Sequence, residues 1–342
     1  MKIKISRQDL KLFKLEGKGK PQDVKIEANQ NGIFVFSDGN RILYKKKIDG
    51  EIYKEGQIVV HFDILKKELE KITENEIIFS AENDNLYIKS VDGDVYCSIK
   101  QSYYYDEFPK IEIENKIYEI ELNINDIKKV SYVMLNSHDD NKYHLKSVLF
   151  HSNENFLKLI ATDCYRISIN ELDIKNLPEF KAIITDQAIA LLEKIIKKNN
   201  KFKVTIYENM AVFEYDNWTI YGGYKEKYPN YDVVIPKNHE RFFTINKSEL
   251  LKIEKAFTKK EPVAHFIIKD NIIEIKNQNG GFVKKITTDQ NNYFEFKMNF
   301  KYLCDVFKIL NNEIVRIYYQ DANKAFYIKE NSFEAVIMPC RL

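Results

Sequence analysis

The stretch Leu157-Lys-Leu-Ile-Ala-Thr-Asp-Cys-Tyr-Arg-Ile-Ser-Ile169 lies near the middle of the chain and contains two apolar runs around a polar bend. Apolar and polar residues alternate on both sides of Thr162–Arg166, as in two strands joined by a turn. Such a corner at a sheet edge can present side chains to a partner without disturbing the core. Taken alone, the stretch also fits an ordinary strand–turn–strand with no binding role. A pattern at the carboxyl end of the chain favours the binding role over this alternative.

Composition indicates a globular protein with more than one core. The chain has 342 residues, of which 44% are hydrophobic and 13% are aromatic. The formal net charge is only +2, so a basic surface must arise from where lysines lie and not from their excess. The four cysteines are far apart and form no CxxC pair, which argues against a zinc ribbon or a secreted disulfide scaffold. No apolar run approaches the ~18 residues that cross a bilayer, and the amino terminus lacks the apolar core of a signal peptide. We therefore expect a protein of the reducing cytoplasm that does not enter a membrane.

Three segments have the pattern of a β-hairpin, with short turns that contain Asp, Asn or Gly. They are Leu86–Ile99 around Asp92-Gly93, Val204–Phe213 around Glu208-Asn209, and Phe266–Ile275 around Asp270-Asn271.

Six lysine-bearing segments have the periodicity of amphipathic helices, and they form two sets. The first set follows the short strands Ile3–Ile5, Ile117–Leu122 and Phe242–Ile245, and its members are Ser6–Leu15, Asn123–Leu135 and Asn246–Thr258. The second set comprises His61–Ile72, a helix capped by Thr185 that runs to about Lys198, and Asn299–Leu310.

A strand–helix–strands–helix–strands unit thus recurs three times, with a period of roughly 120 residues. This repeat predicts an α+β fold of three tandem domains, each with two helices packed on antiparallel sheets. Prolines that interrupt strand pairing near Pro109 and Pro229 set the predicted domains at 1–115, 116–236 and 237–342. If the units follow an arc, the lysine faces of their helices would line a concave surface that suits the phosphates of duplex DNA, without reading base sequence. The alternative is that these lysines are merely solvated.

Three ordered motifs resemble those of the bacterial DNA polymerase III β subunit family, the sliding clamps. They are Ala161-Thr-Asp-Cys-Tyr-Arg166, Lys227-Tyr-Pro-Asn-Tyr-Asp-Val-Val-Ile-Pro236 and Glu334-Ala-Val-Ile-Met-Pro-Cys-Arg-Leu342. The family usually shows ATDGHR, FPDY…LP and a VMPMRL-like end. The resemblance implies DNA-clamp-like domains that form half of a ring, which a head-to-tail homodimer closes around duplex DNA. It also implies a processivity factor without catalysis or cofactor, whose partners are the replicative DNA polymerase, the clamp loader and other proteins with clamp-binding peptides.

The resemblance further implies a peptide-binding groove between the second and third domains, with an apolar slot for a Leu or Phe anchor. Its predicted residues are Leu145, Thr162, Cys164, Tyr165, Arg166, Ile167, Pro229, Val233, Val234, Val336, Met338, Pro339, Cys340 and Arg341. Arg166 and Arg341 would offer hydrogen-bond donors at its rim. The residues implied in DNA binding are Lys18, Lys20, Lys66, Lys128, Tyr143, His144, Lys197 and Lys198.

Several features depart from the family pattern. Cys164-Tyr165 stands where Gly-His is usual, so we expect a bulkier mouth of the groove. Cys340 stands where Met is usual, and its shorter side chain is less adaptable. The chain is also nearly neutral, and it is shorter than most members near 11–21 and 258–265. These departures leave open a clamp-like protein-interaction module that does not encircle DNA.

A third possibility is an enzyme on a β-rich scaffold. The sequence contains no GxxxxGK[ST], HExxH or GxSxG motif, and its histidines lack metal-ligand spacing. Asp139-Asp140 could be a metal pair and Cys164 a nucleophile. Adjacent carboxylates in a polar loop are usually solvated, however, and Cys164 has no evident base in the sequence. We therefore predict no metal site and no catalytic residue.

Overall fold

The computed structural model describes residues 1–11, 23–39, 42–102, 108–134, 145–223, 227–237, 240–279 and 281–341. These residues form an α+β fold of antiparallel sheets and short helices, as predicted. Two compact units are present: Met1–Ile124 with Ile184–Lys225, and Asn125–Ile183 with Glu226–Leu342.

Short strands make up most of the fold. Up to residue 100 they are β1 Lys2–Ser6, β2 Asp23–Asn29, β3 Gly32–Gly39, β4 Ile42–Ile48, β5 Gly50–Lys54, β6 Gly56–His61, β7 Glu76–Glu82, β8 Asn85–Lys89 and β9 Val95–Lys100. Those up to residue 221 are β10 Lys116–Asn123, β11 Ser147–Asn153, β12 Phe156–Thr162, β13 Arg166–Asp173, β14 Phe180–Thr185, β15 Lys201–Tyr207, β16 Ala211–Tyr215 and β17 Trp218–Tyr221. The remainder are β18 Arg241–Asn246, β19 Val263–Lys269, β20 Ile272–Lys276, β21 Phe282–Thr287, β22 Phe294–Asn299, β23 Ile314–Tyr319, β24 Phe326–Glu330 and β25 Phe333–Ile337.

The helices are also short, and each follows a strand directly. They are α1 Arg7–Lys11, α2 Phe62–Lys71, α3 Ile124–Ser131, α4 Asp186–Ile195, α5 Lys247–Leu251 and α6 Phe300–Phe307. Single 3₁₀ turns lie at Tyr231–Val234 and Glu254–Ala256.

The first unit contains two sheets. One has the strand order β5-β1-β7-β8-β9, and the other has the order β10-β15-β16-β17-β4-β3-β2-β6. The predicted hairpins β8–β9 and β15–β16 are present. The turn after β8 is longer than the two-residue turn that Asp92-Gly93 predicts, because β8 ends at Lys89 and Ser90 donates its backbone N–H to the Asp94 carbonyl.

Helix α4 of the first unit ends earlier than predicted. Thr185 caps it as expected, accepting a hydrogen bond from the backbone N–H of Ala188. The chain leaves the helix at Ile196, which is extended and almost fully buried. Lys197 and Lys198 therefore lie on the exposed turn that follows, and not on the helix.

The second unit also contains two sheets, ordered β14-β11-β12-β13-β25-β24-β23-β18 and β21-β20-β19-β22. The predicted hairpin β19–β20 is present, and its turn residues Asp270 and Asn271 both have positive φ, as a type I′ turn requires. The predicted helix Asn246–Thr258 is broken into α5 and the 3₁₀ turn at Glu254–Ala256.

Both eight-stranded sheets join strands from different predicted domains, since β17 pairs with β4 and β13 pairs with β25. The division into three domains therefore stays a prediction.

Aromatic rings fill the core of the second unit. Phe296 stacks on Phe266 with ring centroids 4.7 Å apart, and it lies 4.5 Å from the Phe326 ring and 5.7 Å from the Phe243 ring. All four side chains are essentially inaccessible to solvent. Packing of this kind depends on the shape of each ring.

We expect Phe296→Ala to lower the free energy of unfolding of this unit by about 3–5 kcal/mol, because the cavity left by the ring cannot collapse among three other rings. Urea unfolding followed by circular dichroism measures the change. Tyr293→Ala, at a side chain that is 63% exposed, is the matched control. A loss below about 1 kcal/mol for Phe296→Ala would contradict this packing of the rings.

Candidate functional site

The bend between β12 and β13 is held by a compact set of hydrogen bonds. Thr162 Oγ1 donates to the Arg166 carbonyl at 2.8 Å, and Asp163 Oδ1 accepts from the backbone N–H groups of Tyr165 and Arg166, each at 3.0 Å. Cys164 adopts a left-handed backbone with φ of 76°. This conformation costs a non-glycine residue about 1–2 kcal/mol, so the surrounding bonds must hold it.

The carboxyl-terminal strand β25 lies beside this bend. It pairs antiparallel with β13, with Ile337 opposite Arg166 and Val336 opposite Ile167. The backbone N–H of Met338 then donates to the Tyr165 carbonyl at 2.8 Å. Two of the three sequence motifs, which are far apart along the chain, are thus adjacent in the fold.

A groove of about 250 Å³ opens between the bend, β25 and the segment that contains Pro229. Its floor is formed by buried side chains, and its mouth carries apolar or aromatic side chains that solvent reaches. Exposure is 62% for Tyr165, 48% for Val234 and 40% for Met338. The lining residues are Leu145, Thr162, Cys164, Tyr165, Arg166, Ile167, Pro229, Asn230, Tyr231, Val234, Val336 and Met338.

Most of the predicted groove residues are among this lining, but Val233, Pro339, Cys340 and Arg341 are not. Val233 is 73% exposed. Beyond Met338 the chain leaves the groove, since the backbone N–H of Cys340 donates to the Lys297 carbonyl of β22 at 2.8 Å.

Sequence reasoning missed Asn230 and Tyr231, although both lie inside the motif that contains Pro229. Tyr231 is buried, and its hydroxyl lies 2.6 Å from His151 Nδ1. Burial raises the pKa of Tyr231. Burial also lowers the pKa of His151, and the positive charge of nearby Lys181 lowers it further. The available sequence signal was their position directly after Pro229 in that motif.

The guanidinium group of Arg166 does not serve as a free donor at the rim, in contrast to the prediction. Its Nε binds Asp163 Oδ2 at 3.0 Å, and a terminal nitrogen binds Asp305 Oδ2 at 2.8 Å. The group lies 4.2 Å from the ring centroid of Tyr302 and 5.5 Å from that of Tyr132. Although burial opposes the charge, the hydrogen bonds to Asp305 and Asp163 hold the pKa of Arg166 above its ordinary value. The residue therefore ties the bend to α6.

The described residues predicted to bind DNA lie on different elements, and their role stays a prediction. Lys66 lies on α2 and Lys128 on α3, both half-buried, while Lys197 and Lys198 are exposed. Lys18, Lys20, Tyr143 and His144 lie outside the described residues, as do Asp139 and Asp140.

Neither a metal centre nor a membrane-spanning helix is found in the described part of the chain. No group of three or more His, Cys, Asp or Glu side chains there could hold a metal ion. No helix there is long and apolar enough to cross a membrane.

Residues 121–230 match the central domain of the DNA polymerase III beta subunit. In this segment the chain resembles the bacterial DNA polymerase III beta subunit family. It is 20% identical to the beta sliding clamp of Rickettsia felis, over 94% of this chain and 92% of that protein.

Solved structures of the family share the fold over the whole chain. The beta subunit from Pseudomonas aeruginosa superposes with a TM-score of 0.86 at 17% identity, and the match covers 100% of both chains. The Helicobacter pylori beta clamp bound to a DNA ligase peptide gives a TM-score of 0.84 at 20% identity, again over 100% of both chains.

We expect Asp305→Asn to lower the free energy of unfolding by about 1–3 kcal/mol, because the buried Arg166 side chain loses one of its two carboxylate partners. Lys301→Ala is the matched control: it removes the ion pair that Lys301 makes with the other oxygen of Asp305, but its side chain is 59% exposed. We expect that change to be below about 0.5 kcal/mol. Equal effects of the two substitutions in urea unfolding would contradict this role of Asp305.

Proposed function

We propose that the chain is a DNA sliding clamp. In this proposal a head-to-tail homodimer encircles duplex DNA and tethers the replicative DNA polymerase, the clamp loader and other replication or repair proteins. The observation that carries the proposal is the pairing of β25 with β13, which builds an apolar groove at the Thr162–Ile167 bend. The match of residues 121–230 to the central domain of the beta subunit and the shared fold support it.

The groove has the chemistry of a site for a short linear peptide. Ile167, Val336 and Leu145 are buried in its floor, so a Leu or Phe side chain of a partner would be removed from water there. Tyr165 and Met338 are partly exposed at the mouth and can close over such an anchor. The ligase peptide bound to the H. pylori clamp is a precedent for this class of ligand.

A non-catalytic role agrees with the chemistry of the groove. The described side chains that line it include no Asp, Glu or His, which are the commonest general acids and bases. The charge of Arg166 is already shared between Asp163 and Asp305. We therefore assign tethering, and not bond making or breaking, to this site.

Each unit has a sheet edge that could form a head-to-tail contact with a second copy. In the first unit the edge strand β9 exposes Val95 and Tyr96, and in the second unit the edge strand β21 exposes Phe282. Open edges with exposed apolar side chains readily pair with another chain. A contact between two different edges is heterologous, and a twofold set of such contacts closes a ring.

Encirclement would make the mechanism topological. A closed ring cannot leave circular DNA, so tight binding is unnecessary, and weak lysine–phosphate contacts allow sliding. In the proposal, Lys66, Lys128, Lys197 and Lys198 supply such contacts, the three predicted domains of each copy form half of the ring, and the protein works in the cytoplasm.

We expect Met338→Glu to weaken binding of a fluorescent peptide with adjacent Leu and Phe residues by at least about tenfold, because a carboxylate would have to enter an apolar site. Fluorescence anisotropy measures the affinity. Val233→Glu is the matched control, since Val233 is more exposed than Met338 but lies outside the groove lining. Equal affinities of the two variants would reject the groove as the peptide site.

We expect the chain to have twice its own mass in light scattering, and Phe282→Glu to yield monomers by placing a charge in the edge contact. The parent protein, loaded by a clamp loader, should remain on nicked circular DNA and leave linear DNA, whereas the variant should remain on neither. Tyr293→Glu is the control, because Tyr293 is similarly exposed but lies outside β21. A monomeric parent, or equal loss from circles and linear DNA, would favour the clamp-like interaction module.

A further inference from the structure

One face of the eight-stranded sheet in the first unit carries lysines around two phenyl rings. Lys25 of β2 lies opposite Phe36 of β3, which lies opposite Lys45 of β4. Phe34 lies opposite Lys47 in the same two central strands. Side chains directly opposite each other in paired strands share a face, so these five residues form one surface, the basic aromatic patch.

The lysines of the patch lean over the rings. Nζ of Lys45 lies 4.9 Å from the Phe34 centroid, Nζ of Lys25 lies 5.1 Å from the Phe36 centroid, and Nζ of Lys47 lies 6.0 Å from the Phe34 centroid. The two ring centroids are 6.4 Å apart. Both rings are only half-buried, so part of each ring is open to a ligand.

The patch also has an excess of positive charge that the rest of the same face lacks. Among the ion pairs of the described residues, the patch lysines take part in one, between Lys25 and Glu27 at 2.8 Å. Further along the same face, Lys203 of β15 pairs with Glu214 of β16 at 2.6 Å. Lys201, at the end of β15, pairs with Glu121 at 3.0 Å. The excess is therefore local to β2, β3 and β4.

We propose that the basic aromatic patch binds single-stranded nucleic acid without sequence preference. Ammonium groups contact phosphates, and bases stack on Phe34 and Phe36, since every base offers a flat face to an aromatic ring. A sheet with aromatic side chains on a central strand is an established type of platform for such bases. Duplex DNA fits less well, because its bases are already stacked on each other. The site is separate from the peptide groove, and it does not depend on ring closure.

The experiment measures anisotropy of a labelled mixed-sequence DNA oligonucleotide of about 20 nucleotides, titrated with the full chain at several salt concentrations. We expect the triple variant K25Q/K45Q/K47Q to bind at least about tenfold more weakly, with a salt slope lower by about two, from three lost phosphate contacts. We expect F34L/F36L, which keeps apolar surface and charge but removes the rings, to lose at least about tenfold at an unchanged salt slope.

The control is K201Q/K203Q, which alters lysines that already have carboxylate partners and should leave the affinity within about twofold. Thermal unfolding checks that each variant is folded. The proposal would be overturned by parent-like affinity of the triple variant, by loss in the lysine variant without loss in F34L/F36L, or by equal affinity for a duplex of the same length. Tighter binding of an acidic, aromatic peptide with loss in both variants would also overturn it, by assigning the patch to a protein partner.

Discussion

The pairing of β25 with β13 is the interaction on which the candidate site depends. It brings residues near position 165 and residues near position 338 into one sheet, and a groove forms only where both are present. The two strands are far apart along the chain, so neither segment can form this surface without the other. Backbone hydrogen bonds give it a register, and a shift of one residue would turn Val336 away from the groove.

Local sequence patterns predict most of the elements. The turn residues Asp270 and Asn271 identify their hairpin because both tolerate positive φ. The caps Thr185 and Asn299 mark helix starts, since each side chain accepts a backbone N–H in the first turn. The end of α4 was not predictable in this way: burial of Ile196 in the unit stops the helix, whereas the lysines that follow have good helix propensity.

The parts of the candidate site that lie in sequence motifs were predictable. The parts whose positions depend on contacts between distant segments were not. The Thr162–Ile167 bend and Met338 line one groove, and their role in peptide binding stays a prediction of the resemblance. Arg166 is different, because its buried position is set by Asp305, which lies 139 positions away along the chain. Likewise, the resemblance did not predict that the chain leaves the groove before Cys340, which pairs with Lys297 of another sheet. Both contacts depend on which carboxylate or strand lies nearby in the folded chain. A sequence pattern does not give the distance between residues that are far apart along the chain.

The last residues before the end of the described chain are anchored twice. The Met338 backbone is bonded to Tyr165, and two residues later Cys340 is bonded to Lys297. Because these bonds already order the backbone around Met338, little backbone entropy is lost when a ligand covers its side chain. A ligand of only a few residues buries little surface, so we expect its residence time at such a site to be short. In the proposed function, this exchange would let several proteins use a single docking point in succession.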